Sequence, residues 1–310
     1  LVADRRNRLR VLAVRPRIRG RDAAVIQPAR ERVAREAGQR SPVEGEADRL
    51  VAADAPGLLR PEWLGHAGGC DLRAIDHVIA DDVVWPESDA RVVRVSGTYH
   101  PASPHAIAPE MSRAEAGLPA DGFVFCAFNN PEKIDTPTFD LWMRILARTP
   151  GSVLWLSRTH SAAIADNFRA AARERGIDGG RLIFASRLPD KAAHLARHRH
   201  AGLFLDTLGL NASTTALDAL WAGLPVLTVT GTQFASRIAT SFLTSLGLPE
   251  LICASAEEFE ARAVTLATDP VALAGLRERL ATQRESRPLF QIETFCRRLE
   301  TALLEISRAR

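Results

Sequence analysis

The sequence lacks the features that mark membrane, secreted and nucleic-acid-binding proteins. No apolar run approaches the roughly 20 residues that span a bilayer, and residues 1–20 contain no continuous apolar stretch typical of a secretory signal. The formal net charge of +3 is too small to indicate nucleic-acid binding. We therefore expect a cytoplasmic protein without a membrane or nucleic-acid partner.

The sequence also lacks the short motifs of several enzyme classes. It contains no G-x-G-x-x-G, Walker A, zinc-ligand or G-x-S-x-G pattern. The main evidence that would assign the chain to the dinucleotide enzymes, P-loop NTPases, metallohydrolases or α/β-hydrolases is therefore missing. The cysteines are too far apart to form a metal-ligand pair or a dense disulfide framework; they are Cys70, Cys126, Cys253 and Cys296. We expect free thiols, no bound metal and no cofactor.

Lysine is almost absent. Of 40 lysine and arginine residues, only Lys133 and Lys191 are lysines. In a chain this biased toward arginine, a lysine can mark a site that needs a compact ammonium where a guanidinium does not fit. The alternative is that the two lysines have been retained by chance.

The chain changes character along its length. Residues 1–60 are Arg-rich and atypical, without a sustained helical or strand period, and we interpret them as a disordered arm or a mistranslated stretch. From Phe123 onward, short apolar strands alternate with helices of about 10–15 residues, a pattern typical of a parallel sheet covered on both faces. Strands are predicted at 123–128, 153–156, 182–184, 203–206 and 225–229, and helices at 136–146, 161–175, 191–199, 214–222, 236–246 and beyond 255. The sequence thus predicts a Rossmann-like domain over 116–250.

The loop after the first of these strands is a candidate phosphate site. Ligands bind beyond the carboxyl ends of the strands in such sheets. Asn130 can donate to a diphosphate oxygen there, and Lys133 can neutralise charge. The alternative is a polar turn before a helix.

The start of the helix predicted at 214–222 is a second candidate. Ser213, Thr214 and Thr215 offer hydroxyls beside unpaired helix amides, which together bind phosphate. Asp218 lies one turn further and can accept from a ribose hydroxyl. The alternative is an ordinary Ser/Thr cap.

A basic row forms the third candidate. Lys191, His194 and Arg197 recur at every third position, so they are roughly aligned on one helix face. Such a row could hold a base and ribose, although spacing alone favours a solvated basic face.

Many separate segments resemble one family in order and spacing. They are Trp63–Gly68, Asp76–Asp81, Phe128-Asn129-Asn130, Lys133-Ile134-Asp135, Ser152–Leu156, Asp206-Thr207, Thr214-Thr215, Asp218, Leu220–Pro225, Ala235-Ser236-Arg237, Leu248–Ile252 and Pro288-Leu289-Phe290. Over residues 61–307 the chain resembles the catalytic region of the O-GlcNAc transferases and their SPINDLY relatives, of the bacterial type.

The resemblance implies an α/β, GT-B-like fold with a complete C-terminal Rossmann-like domain and an incomplete N-terminal Rossmann half. Residues 61–115 would be a remnant of that half, and residues 116–310 would form the nucleotide-sugar-binding domain with its C-terminal helices. The implied activity is inverting, metal-independent transfer of a sugar, GlcNAc from UDP-GlcNAc, to Ser or Thr hydroxyls of an acceptor protein.

The resemblance also implies roles for individual residues. Lys133 would be catalytic, stabilising the leaving diphosphate. The nucleotide sugar would be held by Asn130, Pro189, Lys191, His194, Arg197, Ser213, Thr214, Thr215 and Asp218. His66 and Asp81 could border the acceptor side.

The chain departs from the family pattern in three ways. Residues 1–55 do not resemble the family's first strand-helix region, the tetratricopeptide repeats that usually precede it are absent, and Ser213 stands where animal enzymes have His. Two alternatives therefore remain open: a GDP-fucose-dependent protein O-fucosyltransferase, and a non-catalytic nucleotide-sugar-binding fragment.

Overall fold

A computed structural model of the chain describes residues 61–64, 76–109, 111–159, 161–188 and 190–308. It also describes the backbone of two short antiparallel strands, β1 (Val2–Ala3) and β2 (Leu9–Arg10). Most of residues 1–60 lie outside this part, so their interpretation as a disordered or mistranslated segment stays a prediction. His66 and Pro189 also lie outside the described residues.

The chain divides into two compact units. The first, which comprises Leu1–Ala80, Ser88–Arg94 and Glu300–Arg310, contains a three-stranded parallel sheet. Its strands are β3 (Pro61–Glu62), β4 (His77–Ala80) and β5 (Val92–Arg94), with β4 in the middle. The second unit comprises Asp81–Glu87 and Val95–Leu299. The domain boundaries expected from the sequence stay a prediction.

The second unit contains a six-stranded parallel sheet. Its strands are β6 (Val124–Ala127), β7 (Val153–Leu156), β8 (Leu182–Phe184), β9 (Leu203–Leu205), β10 (Val226–Val229) and β11 (Ile252–Cys253). Their order is β11-β10-β9-β6-β7-β8. The chain runs outward from β6 to β8 and then returns to the other side of β6, so the strand order reverses between β6 and β9. The predicted Rossmann-like sheet is confirmed.

Helices connect these strands and form the end of the chain. They are α1 (Thr136–Arg148), α2 (Ala162–Glu174), α3 (Lys191–Ala196), α4 (Thr214–Trp221), α5 (Ile238–Leu246), α6 (Ala256–Thr268), α7 (Pro270–Ser286) and α8 (Ile292–Arg308). None of the helices in the described part of the chain combines the length and the apolar composition that a membrane span requires.

Two predicted helices are shorter than expected. The helix predicted at 191–199 ends at Ala196 and tightens into a 3₁₀ turn over Arg197–His200, where the amide of Ala201 bonds to the carbonyl of His198 at 3.1 Å. The helix predicted from Ser236 begins at Ile238, after another 3₁₀ turn. Local 3₁₀ bonding at helix ends accounts for both differences.

The core lies on both faces of the central sheet. Every residue of β6 and β9 is buried. The largest fully buried side chains include Trp142 of α1, Trp155 of β7 and Phe242 of α5. Burial of each such side chain stabilises the fold by about 1.5–3 kcal/mol. The carboxyl ends of β6 and β9 are therefore held in place by a closely packed core.

Candidate active site

The buried amide of Asn129 ties together three segments at the reversal point of the sheet. Asn129 follows β6 and is 1% exposed. Its Nδ2 donates to Thr207 Oγ1 at 3.2 Å, and its Oδ1 accepts from Thr215 Oγ1 at 2.7 Å. The loop after β6, the loop after β9 and the start of α4 are thus held together by one side chain, at the place where doubly wound sheets bind ligands.

The buried carboxylate of Asp206 shapes the loop between β9 and α4. One of its oxygens accepts from the amides of Thr207 at 2.8 Å and Ala212 at 2.6 Å, and the other accepts from Thr228 Oγ1 at 2.7 Å. Burial raises the pKa of Asp206 to about 6, although these hydrogen bonds and the charge of Lys133 act in the opposite direction. Asp206 therefore fixes the backbone that leads into α4.

Lys133 lies against this same loop. It ends the 3₁₀ turn Pro131–Lys133, which Asn130 caps by accepting from the amide of Glu132. Lys133 Nζ donates to the carbonyl of Asn211 at 2.9 Å. Burial lowers the pKa of Lys133, while the carboxylate of Asp206 opposes that change. The half-buried ammonium is thus held at Asn211, three residues before the start of α4.

Among the residues that the structure describes, no side chain caps the N-terminus of α4. Ser213 occupies the N-cap position, but its hydroxyl forms no cap bond and instead lies 3.2 Å from His100 Nδ1. Thr215 bonds to Asn129, and Thr214 is exposed. The alternative of an ordinary Ser cap is therefore wrong. The first turn of α4 keeps its amides, and the partial positive charge of the helix end, without a side-chain acceptor.

Asp218 connects α4 to the basic row on α3. Lys191 Nζ is paired with one Asp218 oxygen, and His194 Nε2 lies 3.5 Å from the other. Burial acts to raise the pKa of Asp218, but the hydrogen bonds from His194 and Lys191 outweigh it, so the pKa is lowered. The two predicted ribose residues, Lys191 and Asp218, thus lie side by side.

Arg197, the third member of this row, is buried. It is 8% exposed, and its guanidinium stacks over the ring of Phe128 at 4.5 Å. It also donates to the carbonyl of Ser186 at 2.9 Å and contacts His194 Nδ1. The alternative of a solvated basic face is wrong for Arg197, because this cation is buried and contacts the ring of His194.

The three candidate segments predicted from the sequence converge on α4. The loop of residues 129–133, here called the Asn-Lys turn, bonds to Thr215 of α4 through Asn129 and to the loop before α4 through Lys133, and the basic row reaches α4 through Asp218. Two cations, an uncapped helix end and a carboxylate therefore lie along one edge of the sheet. This combination suits a nucleotide with linked phosphates.

Residues 95–299 match the model of a family described as Glycosyl transferase family 41. The chain belongs to this family. The resemblance found in the sequence is thereby confirmed.

Named relatives agree with the family match. The chain is 40% identical to the UDP-N-acetylglucosamine–peptide N-acetylglucosaminyltransferase of Caenorhabditis elegans over 192 residues, which cover 62% of this chain and 16% of that protein. It is 30% identical to the Arabidopsis thaliana protein SEC, a probable enzyme of the same name, over 83% of this chain and 27% of that protein. The chain thus spans only a small part of these family 41 relatives.

A solved structure supports the same grouping. A mutant of the Thermobaculum terrenum O-GlcNAc transferase superposes with a TM-score of 0.73 at 30% identity, over 86% of this chain and 56% of that one. This match confirms the expected α/β, GT-B-like fold of a family 41 protein.

Asp81 is enclosed, which corrects its expected place beside an acceptor. It is 4% exposed. Its oxygens accept from the amides of Val83, Val84 and Tyr99 at 2.8–3.0 Å and from Ser241 Oγ at 2.6 Å. These bonds hold the carboxylate against the backbone of residues 83, 84 and 99 and the hydroxyl of Ser241, so it is not presented to an acceptor. The roles implied for His66 and Pro189 stay predictions.

Sequence reasoning missed three residues of this family 41 site. The sequence assigns no individual role to Asn129 or Asp206, which appear only within segments that resemble the family, and it does not indicate His100. A polar residue directly after a buried strand was the available signal for Asn129 and Asp206. His100 gave no such signal, since its partner Ser213 is 113 positions away.

Proposed function

We propose that the chain is a glycosyltransferase that moves GlcNAc from UDP-GlcNAc to Ser or Thr hydroxyls of proteins. The observation that carries this proposal is the convergence of the Asn-Lys turn, the basic row and the uncapped start of α4. Membership of family 41 and the names of the relatives support the same donor and acceptor. We also propose that the protein acts in the cytoplasm.

In this proposal each segment holds one part of the donor. Asn130, Lys133 and the start of α4 over residues 213–215 bind the diphosphate. Lys191 and Asp218 bind the ribose, with His194, Arg197 and Pro189 nearer to the base. The pairing of Lys191 with Asp218 holds both groups in place before the donor arrives, which reduces the entropy lost on binding.

The reaction is a displacement at the anomeric carbon. The acceptor hydroxyl loses its proton to solvent as its oxygen forms a bond to that carbon on the face opposite the leaving group, and the bond from the carbon to the diphosphate oxygen breaks with its electron pair. Lys133 and the amides of α4 stabilise the charge that develops on the nucleotide diphosphate. Because this chain's own groups supply positive charge, the proposal includes no metal or other cofactor.

Calorimetric titration of the intact chain tests the donor. We expect UDP-GlcNAc and UDP to bind and GDP-fucose to bind at least tenfold more weakly. A preference for GDP-fucose would replace GlcNAc transfer by fucose transfer. Binding of UDP-GlcNAc without transfer to any Ser- or Thr-containing protein would indicate a non-catalytic binding fragment.

A further inference from the structure

His100 is bonded to the N-cap residue of α4. Its Nδ1 lies 3.2 Å from Ser213 Oγ. Edge contacts hold the ring, whose centroid lies 5.8 Å from that of Tyr99 and 5.7 Å from that of Phe242. The backbone amide of His100 donates to Thr98 Oγ1 at 3.2 Å. The imidazole is therefore fixed in position by its own segment and by α5.

The surroundings keep this imidazole neutral. Burial lowers the pKa of His100 to about 4. A neutral imidazole has one N–H and one lone pair, so Nδ1 can either donate to the Ser213 hydroxyl or accept from it. When Nδ1 donates, the hydroxyl hydrogen of Ser213 is released for a further partner.

Ser213 has a hydroxyl without a structural use inside α4. A Ser at this position ordinarily accepts from an amide of the first turn, but Ser213 forms no such bond. Lys133 is bonded two residues earlier in the same loop, at the carbonyl of Asn211. The hydroxyl thus belongs to the part of the loop that the ammonium approaches.

We propose that His100 is a positioning residue for the diphosphate of the donor, acting through Ser213. The imidazole N–H donates to Ser213 Oγ, and the Ser213 hydroxyl donates to a diphosphate oxygen at the start of α4. Successive hydrogen bonds of this kind strengthen one another when the last acceptor is charged. This inference rests on the proposed function and adds a residue from outside the three segments that define the site.

Two substitutions at position 100 test the hydrogen bond against the packing. His100→Phe keeps an aromatic ring beside Tyr99 and Phe242 but removes both nitrogens. His100→Asn places an amide donor near the position of Nδ1. We expect His100→Phe to weaken UDP binding about tenfold, as expected for one lost hydrogen bond to a buried network, and His100→Asn to recover most of that loss. His105→Asn, on the exposed part of the same segment, is the matched control and is expected to bind UDP like the wild type.

A double-mutant cycle with Ser213→Ala decides whether the pair acts as a unit. Calorimetry with UDP measures affinity, and thermal unfolding of each variant measures folding. If His100 acts through Ser213, then His100→Phe costs little further affinity once Ser213→Ala is present. Additive losses, or wild-type affinity in His100→Phe, would overturn the inference while leaving the proposed function intact. A loss of affinity that follows the loss of Tm in every variant would reduce His100 to a packing role. A wild-type chain that binds neither UDP nor UDP-GlcNAc would remove both proposals.

Discussion

Lys133 combines a scarce residue type with a fixed position. It is one of only two lysines in the chain, and its ammonium bonds to the carbonyl of Asn211 at 2.9 Å. That bond uses one of three N–H groups, and no other described residue accepts a hydrogen bond from the remaining two, which can therefore bind a ligand. A guanidinium is planar and carries its donors in a rigid fork, so we expect Lys133→Arg not to reproduce this bond.

Replacement of this ammonium tests its catalytic role. We expect Lys133→Met to fold with a Tm close to that of the wild type but to lose about 100- to 1,000-fold in kcat for GlcNAc transfer, because charge on the leaving diphosphate is no longer stabilised. Arg308→Met, at the exposed end of α8, controls for the loss of one positive charge. Near wild-type turnover of Lys133→Met in a steady-state assay would refute the role.

Asp206 gives the stability of the fold a pH dependence of known sign. Burial raises its pKa from 3.8 to about 6. An acid whose pKa rises on folding is favoured in its protonated form in the folded state. Its contribution to the free energy of unfolding is therefore greatest below about pH 4, decreases as the pH rises to about 6 and is constant at higher pH.

Asp206→Asn removes this contribution while keeping the loop. The amide oxygen can still accept from the amides of Thr207 and Ala212, and the amide nitrogen can donate to Thr228 Oγ1, whose hydroxyl turns to accept. As the pH rises from 4 to 7, we expect the free energy of unfolding of the variant, relative to that of the wild type, to increase by on the order of 2 kcal/mol. Urea unfolding of both proteins at the two pH values measures the change. A difference independent of pH would show that Asp206 does not titrate as described.

Residues that act through distant partners were not accessible from the sequence. The rarity of lysine and the position of Asn130 after an apolar strand led to the Asn-Lys turn. The bond between Asn129 and Thr215 joins residues 86 positions apart, and no local pattern predicts it. Arg197 looked like a surface cation because its spacing matched a helix face, yet it stacks over Phe128.

At the scale of elements, two adjacent residues at the start of α4 have different roles, one in the stability of the fold and the other in binding. Thr215 donates to the buried Oδ1 of Asn129 at 2.7 Å, whereas Thr214 is exposed. One hydroxyl is therefore used by the fold, and the other, which bonds to no described residue, can bind a ligand in the proposed site.

Two matched substitutions test this separation. Thr215→Val leaves a buried acceptor unsatisfied, so we expect it to lower the free energy of unfolding by about 1–3 kcal/mol. Thr214→Val changes an exposed side chain, so we expect less than about 0.5 kcal/mol and weaker binding of UDP-GlcNAc. Chemical denaturation and calorimetry on both variants give the comparison. Equal destabilisation by the two substitutions would show that Asn129 does not depend on Thr215.

Elements were easier to predict than contacts. The strands at Val153–Leu156 and Leu182–Phe184 coincide with the predicted residues, because continuous short apolar runs between turn signals are specific to buried parallel strands. Helix starts were harder to place. Ile238 begins α5 two residues after the predicted Ser236, since the 3₁₀ turn before it uses the same residue types.

At the scale of the whole second unit, the order of the strands places the residues of the site close to one another. β6 lies between β7 and β9, so the loops after β6 and β9 become neighbours although the two strands are far apart in sequence. The alternation of strands and helices predicts a parallel sheet, but it does not predict which strands are adjacent. That choice depends on packing across the whole sheet, and it decides which polar residues meet.

Hydrogen–deuterium exchange of the intact chain, with and without UDP-GlcNAc, most directly tests whether one nucleotide occupies this edge. If it does, the donor slows amide exchange together in residues 129–133, 190–197 and 211–218, while α2 exchanges as before. Slower exchange in only one of these segments, or mainly elsewhere in the chain, would contradict the assignment of a single nucleotide-sugar site to the edge of the sheet around α4.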